Sequence, residues 1–584
     1  METRNLVLAI VLSVAILVFF QWISPPPRHP VAVPQTVAGA DGQPAPAPPE
    51  AQALAPRDEV LKRGGRVTID TRSVTGSIAL KGALIDDLTL SDYHETVDPA
   101  SPAIVLLSPP GAPHGYFAEQ GWSAVDGTPK LPDADTEWTA DKDVLKVGQP
   151  VTLSWDNGAG LAFKRTIAID DNYMFTVADT VTNTGAAPVS LRPHSWMERQ
   201  GPPPPPQTWV SYEGAIAGFN GVEADIPYDS LNATDRLETC VSTRGWLFIP
   251  ATHANPVSCR DATGWVGFSD KYWLGAVAPA DQTEKNDFFL DHAGSGDTQY
   301  YRVEYQGPAA ELAPGASVSA STLVFAGPKD VKLLSAYRDT LGLLRFDNAV
   351  DFGDFWFFTK PIFFLLDKLY GAVGNFGVAI LIMTVIMRIV FFPLQTRAVM
   401  SMNKMKVLQP EVARLRELYG DDKVKLNQET MALYKRAGAN PLGGCLPILL
   451  QIPVFFSLYK VLYVSIEMRH APFYGWIHDL SAPDPTTIWN LFGAIPWQPF
   501  HFLPALGIWP IIYCASMFLQ QRLNPPPPDP VQARMMQFMP VMLMFVLGNA
   551  AAGLVIYWTW SNILVLLQQY VITRHIAVPK PAKV

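Results

Sequence analysis

The chemistry in this sequence begins with one charge where water is scarce. In the string ILIMTVIMRIVFFPL, residues 380–394, Arg388 is the single ionisable side chain. The surrounding run is long enough to cross much of a bilayer. A charge at the centre of a membrane helix costs about 2.5–3.5 kcal/mol on insertion scales. Three arrangements would relieve that cost. Arg388 stands about 9 Å from the end of its run at 1.5 Å per residue, so a long side chain can reach part of the way to the headgroups. An internal ion pair would neutralise it, but the apolar runs carry no Asp or Glu away from their edges. A water-lined cavity is the third, and the usual setting of an intramembrane charge.

Other chemistry is sparse. The four cysteines are Cys240, Cys259, Cys445 and Cys514. The last two fall in apolar runs and read as packing residues. Cys240 and Cys259 lie in a polar block where an oxidising compartment permits a disulfide, although spacing alone does not show that they meet. No Cys/His spacing suggests a metal site. No G-x-x-x-x-G-K-[ST] phosphate loop appears, so no nucleotide hydrolysis is expected. No cofactor and no enzymatic activity are expected. Scattered His, Asp and Glu in residues 58–350 read as surface groups.

The elements that must position Arg388 are membrane helices. The 584 residues are 48% hydrophobic and 17% charged, and the two characters separate along the chain. Residues 28–350 are acidic and polar, whereas 351–584 are dominated by apolar runs. Windows of about 20 residues give six spans: an N-terminal signal-anchor helix in 1–23, then 373–394, 440–464, 502–520, 535–548 and 552–572. The first apolar run exceeds a signal peptide's and ends in Gln21-Trp22 without a small-x-small cleavage site, so it reads as uncleaved. Lys and Arg concentrate in 395–439, 521–534 and the tail 573–584, with Arg4 before the first span. The positive-inside rule then places both termini in the cytoplasm and the acidic block, with 465–501, in the periplasm.

Residues 24–57 are rich in Pro and Ala and read as a linker. From 58 to 350, short alternating stretches such as LAFKRTIAIDDNYMFTVADTVTNTG argue for a large antiparallel β-sandwich closed by a helix in 331–350. Residues 355–372 mix Phe and Trp with Lys360, Asp367 and Lys368, which suits a helix lying in the headgroup plane. In 395–439 helical spacing of Met402, Met405, Leu408, Val412, Leu415 and Leu418 predicts one amphipathic helix ended by Gly420. A second follows, capped by Asp421-Asp422 and closed by Gly438. This hairpin, with Arg414 and Arg416 on its flank, is either a self-packed solvated unit or an adaptable Met-rich capture surface.

Five strings follow in order: RIVFFPLQTRAVMSMNKMKVLQP, NPLGGCLPILLQIPVFFSLYKVL, APFYGWIHDLSAPDP, MQFMPVML and GLVIYWTWSNILVLLQQY. Together, over 388–570, they resemble the YidC family of bacterial membrane insertases, of which the Oxa-type and Albino-type organellar insertases are distant relatives. The whole layout resembles the family's Gram-negative form. Two departures stand out. The stretch FVLGNAAAG, 545–553, is small and polar where the family is aromatic, and Trp558 stands where a tyrosine is common.

The resemblance implies a fold of six transmembrane helices, five of them forming a C-terminal bundle with a hydrophilic groove, plus a large periplasmic β-sandwich. It implies a protein that inserts membrane proteins and helps them fold, alone or with the Sec translocon. Its groove arginine matches Arg388. Thr384, four residues earlier, shares that helix face, and Gln451, Gln520 and Tyr557 are polar members of other spans that could face the same groove; Ser561 and Asn562 are weaker members of this set. Ile452, Phe455, Met539 and Leu543 are nominated as an apolar slide for the substrate's membrane segment. The implied partners are nascent membrane proteins, the lipid bilayer, the Sec translocon and the ribosome, which supplies the sole nucleic-acid contact through its RNA. A rival of another class is an envelope saccharide-binding or modifying β-domain with the membrane block as its anchor.

Overall fold

The computed structural model describes residues 54–127, 129–201, 212–231, 258–294, 298–353, 355–420, 422–438, 446–495, 506–523 and 530–575. The first apolar run, the Pro/Ala-rich stretch up to residue 53 and the tail beyond 575 lie outside them.

Residues 66–328 form two large sheets face to face. One runs in the order Ser258–Ala262, Asn286–Ala293, Tyr300–Gln306, Val189–Gln200, Tyr116–Ala124, Ile85–His94, Val74–Ala79, Arg66–Asp70 and Val144–Leu145. The other is centred on Trp273–Pro279, Ser317–Pro328 and Met174–Asn183. Among the described strands the pairing is antiparallel except where Arg66–Asp70 meets Val144–Leu145. The period-2 pattern has its physical reason in strands such as Leu161–Ile169, whose alternate residues are buried. Gly264–Ser269 is buried along its whole length, so no alternation marks it.

One charged residue ties the sheets together. Arg165 sits directly opposite Asp179 across a strand pair. Its Nε and Nη2 donate to the two Asp179 carboxylate oxygens at 2.7 Å each. Nη2 also donates to the Gln120 carbonyl at 2.5 Å, on the other sheet. Arg165 is only 2% exposed, and this bidentate pairing with carbonyl contacts is what makes a buried guanidinium tolerable.

The rest is helical: α1 Val331–Leu341, α2 Trp356–Val373, α3 Phe376–Val390, α4 Phe392–Val407, α5 Gln409–Tyr419, α6 Lys423–Arg436, α7 Leu446–Val464, α8 Ile508–Leu523, α9 Pro530–Leu547 and α10 Ala552–His575. α10 packs on α3 and α8, α9 on α8, and α2 on α3 and α7. No single described helix is long and apolar enough to cross a membrane; α3 and α4 pass that test together, bent by 66°. The single run expected over 373–394 is therefore broken at Phe391, just before Pro393 in the first turn of α4. The single amphipathic helix expected after it is broken too. Pro410 starts α5, because proline supplies no N–H to continue the ladder of α4. Asp422 caps α6 through its side chain, accepting from the Lys425 N–H at 3.0 Å.

The segment between α7 and α8 is organised by Asp484. Its carboxylate accepts from the Thr486 N–H at 3.0 Å and Trp476 Nε1 at 3.1 Å on one oxygen, and from the Trp509 N–H at 3.0 Å on the other. It thereby caps the start of α8. The small residues 548–553 also find a reason here. The Ala552 N–H donates to the Ala482 carbonyl at 2.7 Å and the Gly553 N–H to Leu480 at 3.0 Å. A Cβ on Gly553 would stand 3.1 Å from the Leu480 carbonyl and 3.0 Å from Leu462. Large side chains would not admit this close approach.

Candidate functional site

Arg388 lies near the end of α3, partly buried, where α3, α7 and α10 converge. Its Nη2 donates to Gln451 Oε1 on α7 at 3.2 Å and to the Ser561 hydroxyl on α10. Gln451 Nε2 in turn donates to Ser561 Oγ at 3.2 Å. These three residues form a closed triangle of hydrogen bonds across three helices. Every acceptor in it is neutral. The guanidinium is held in place without being neutralised, so its charge stays available to an acidic visitor.

The triangle lines a cavity of ≈ 30 Å³, room for about one water. Thr384, Tyr557 and Gln395 line it as well, with Phe391 and Leu394 at the bend, and among the described residues no Asp or Glu does. Thr384 and Tyr557 are nearly inaccessible, at 2% and 3%. The Thr384 hydroxyl donates to the Ile380 carbonyl at 2.6 Å, so it contributes a local backbone bond and not a contact to Arg388.

Of the residues singled out for a groove, Arg388, Thr384, Gln451 and Tyr557 are brought together. Gln520 is not; it lies on α8 away from the cavity lining. Ser561, ranked lower on sequence, is the direct partner of Arg388. Its signal was its place four residues after Tyr557, on the same face of α10. Gln395 was missed because it lies beyond the bend, where helical spacing from Arg388 no longer applies. Asn562 points elsewhere and donates to Ser516 on α8 at 3.1 Å.

The nominated apolar slide divides. Ile452 is 40% exposed on α7. Phe455 is stacked on Trp558 with ring centroids 4.6 Å apart and planes 10° apart, inside the bundle. Met539 is half-buried, and Leu543 packs toward Tyr513, Leu547 and Val555. The exposed apolar row of α9 is instead Met535, Phe538, Met542 and Phe545. In the basic segment Met402 and Met405 are half-buried, while Arg414 and Arg416 are exposed. Cys259 is disulfide-bonded and Cys514 is free and buried; Cys240 and Cys445 lie outside the described residues. Among the described residues no cluster of His, Cys, Asp and Glu could hold a metal ion.

Comparison with known proteins decides what this architecture is. Residues 66–365 match the family model described as the YidC periplasmic domain, and 368–580 match that of the 60Kd inner membrane protein. "Membrane protein insertase YidC" of Methylobacterium sp. (strain 4-46) is 49% identical over 557 residues, covering 94% of this chain and 86% of that one. The protein of the same name from Methylorubrum extorquens (strain PA1) is 45% identical over 603 residues, covering 98% and 95%. The chain belongs to the YidC family. A solved structure titled as an active YidC insertase with its first transmembrane domain resolved aligns over 88% of this chain and 96% of its own, at 16% identity and a TM-score of 0.35. The two family models meet within α2, beyond the last strand and α1.

Proposed function

We infer that this chain inserts integral proteins into the inner membrane, and that insertion begins at the cavity around Arg388. The observation that carries the mechanism is the triangle Arg388–Gln451–Ser561, a fixed cation among neutral acceptors in an otherwise apolar bundle. The near-full-length relatives bear the insertase name, which leaves the saccharide-binding alternative without support.

The ≈ 30 Å³ cavity is then the closed form of a groove. A polar substrate tail enters from the cytoplasmic side by parting α3–α4 from α10. Its acidic groups replace Gln451 and Ser561 as acceptors for Arg388. In a low-dielectric layer that attraction is several-fold stronger than in water, which lowers the cost of drawing the tail part way across. The substrate's apolar segment then partitions into lipid along exposed side chains such as Ile452 and Met542, and that partition supplies the drive.

The distribution of Lys and Arg supports cytoplasmic termini, a periplasmic β-domain and five C-terminal spans in addition to the first. The basic segment 395–439, with its Lys and Arg mainly on α4 and α6, is the ribosome-facing part of this reading, and the Sec translocon is its lateral partner.

The test is insertion of a single-span substrate with an acidic tail into vesicles holding the wild-type chain, Arg388→Ala or Arg388→Lys. We expect Ala to reduce insertion at least about tenfold, the equivalent of about 1.4 kcal/mol, and Lys to retain most of it. Normal insertion by the Ala variant would refute a role for the charge.

A further inference from the structure

A second cavity, ≈ 330 Å³, lies between the first turn of α2 and the end of α7 that meets the β-domain. Its walls are Phe352, Phe355 and Phe456, and its polar end is the pair Asp351 and Lys460. Lys460 Nζ stands 2.5 Å from Asp351 Oδ2. Asp351 Oδ1 accepts the Gly353 N–H at 2.9 Å. The pair is built in. Gly353 has φ +71°, and a Cβ there would stand 2.9 Å from Lys460 Cε, in the path the lysine takes to Asp351. The Phe355 and Phe456 rings stack at 6.2 Å and 24°, above Thr359, whose hydroxyl donates to Ser457 Oγ at 3.2 Å.

The level of this cavity across the membrane follows from its neighbours. One turn beyond Lys460, the chain leaves α7 and Arg469 docks on the β-domain. Trp356, Phe357, Phe358 and Phe364 of α2 are exposed. An exposed Trp beside a charged pair suits the water–lipid boundary. The cavity thus opens at headgroup height, with apolar walls continuous with an aromatic, lipid-facing surface. Its volume is at the low end of small-molecule sites, about 300–1,000 Å³. A carboxylate and an ammonium side by side complement a ligand carrying the reverse pair, a phosphate and an ammonium.

We propose that this cavity holds the headgroup of one zwitterionic aminophospholipid of the phosphatidylethanolamine type. The phosphate lies against Lys460, the primary ammonium donates to Asp351, and the acyl chains leave along Phe355 and Phe456. The occupant is favoured by charge pattern: an anionic glycerol headgroup offers Asp351 neutral hydroxyls but no positive charge, and a quaternary choline has no N–H to donate. A lipid seated here wedges α2 against α7 and anchors the β-domain junction to the bilayer surface.

The full-length chain is exchanged into vesicles of equal phosphatidylethanolamine, phosphatidylcholine and phosphatidylglycerol with matched acyl chains, and the lipid retained is read by native mass spectrometry. We expect one phosphatidylethanolamine per chain, favoured at least about tenfold over either competitor. Lys460→Met and Asp351→Asn should each lower retention about tenfold, and Lys460→Arg should restore it. Retention in proportion to vesicle composition, preference for phosphatidylglycerol, or full retention by variants with an unchanged melting curve would overturn the proposal. If Lys460→Met does not fold, the headgroup preference of the wild-type chain decides alone.

Discussion

At the scale of the residue, what distinguishes Arg388 is the company of neutral oxygens. A carboxylate partner would make a strong internal pair and leave nothing for a substrate. Ser561 and Gln451 orient the guanidinium at the cost of two modest hydrogen bonds, which a substrate carboxylate can outcompete. Ser561→Asp should therefore be more informative than Ser561→Ala. The aspartate would sit within reach of Arg388 and neutralise it. We expect insertion of an acidic-tailed substrate to fall about tenfold or more, as in Arg388→Ala, while thermal stability holds or rises. Vigorous insertion by a stable Ser561→Asp protein would mean that the charge is not what the tail senses. Thr384, Gln451 and Tyr557 were legible because polar residues in apolar runs must face something other than lipid. That argument finds the set and not its members. Gln520 satisfies the same rule at another place, and Ser561 ranked lower because small polar residues in such helices more often serve interhelical hydrogen bonds, which here reach Arg388 itself.

At the scale of the element, the apolar runs overlap α3, α7, α8, α9 and α10, but hydropathy could not show the bend between α3 and α4. The run is uniformly apolar through Phe391 and Phe392, and Pro393 is equally at home in the first turn of a new helix. The bend places Gln395 and Leu394 back against the cavity. Pro393→Ala restores a backbone donor and removes a helix-breaking penalty of about 3 kcal/mol. We expect α3 and α4 to straighten, measured as a longer distance between spin labels at 382 and 402, with insertion falling although Arg388 is untouched. An unchanged distance would place the cause of the bend in packing. In the β-domain, alternation was legible in strands such as Leu161–Ile169 and absent from the fully buried Gly264–Ser269, and the ion pair inside the domain was not legible at all. Arg165 and Asp179 are polar residues at inward positions, and only the register brings them opposite each other. Arg165→Met strands a buried carboxylate, and a loss of about 3–5 kcal/mol is expected, seen as a lower melting temperature of the full chain. A neutral result would show Asp179 finding water.

At the scale of the whole molecule, the β-domain and the bundle meet through a polar seam that no local pattern announces. Its contacts join residues as far as 375 positions apart. Arg469 donates to the His94 carbonyl and lies over the rings of Tyr272 and Trp273 at 5.8 and 5.5 Å. Lys332 on α1 pairs with Asp367 on α2 at 2.7 Å. At the centre, Glu467 Oε1 accepts from the Val331 N–H at 3.4 Å, while its Oε2 is buried with no hydrogen-bond partner among the described residues. Burial, and then the carboxylates of Asp330 and Asp367, push the Glu467 carboxyl from its ordinary 4.5 up to about 8. Between those two values the folded chain holds a proton that the unfolded chain has released. Folding is therefore weakened as pH rises through this window, and the loss is complete above about 8. Glu467→Gln keeps the shape and the acceptor but has no proton to lose. Melting curves at pH 6, 7.5 and 9 in one detergent should show the wild-type chain losing stability relative to the Gln variant at each step upward. Parallel curves at all three values would mean that Glu467 is ionised in the fold and that a cation or water supplies the missing partner of Oε2. A seam held by a protonated carboxyl would make the grip of the β-domain on the bundle loosest on the alkaline side, so limited proteolysis at the junction should accelerate there in the wild-type chain and not in the variant.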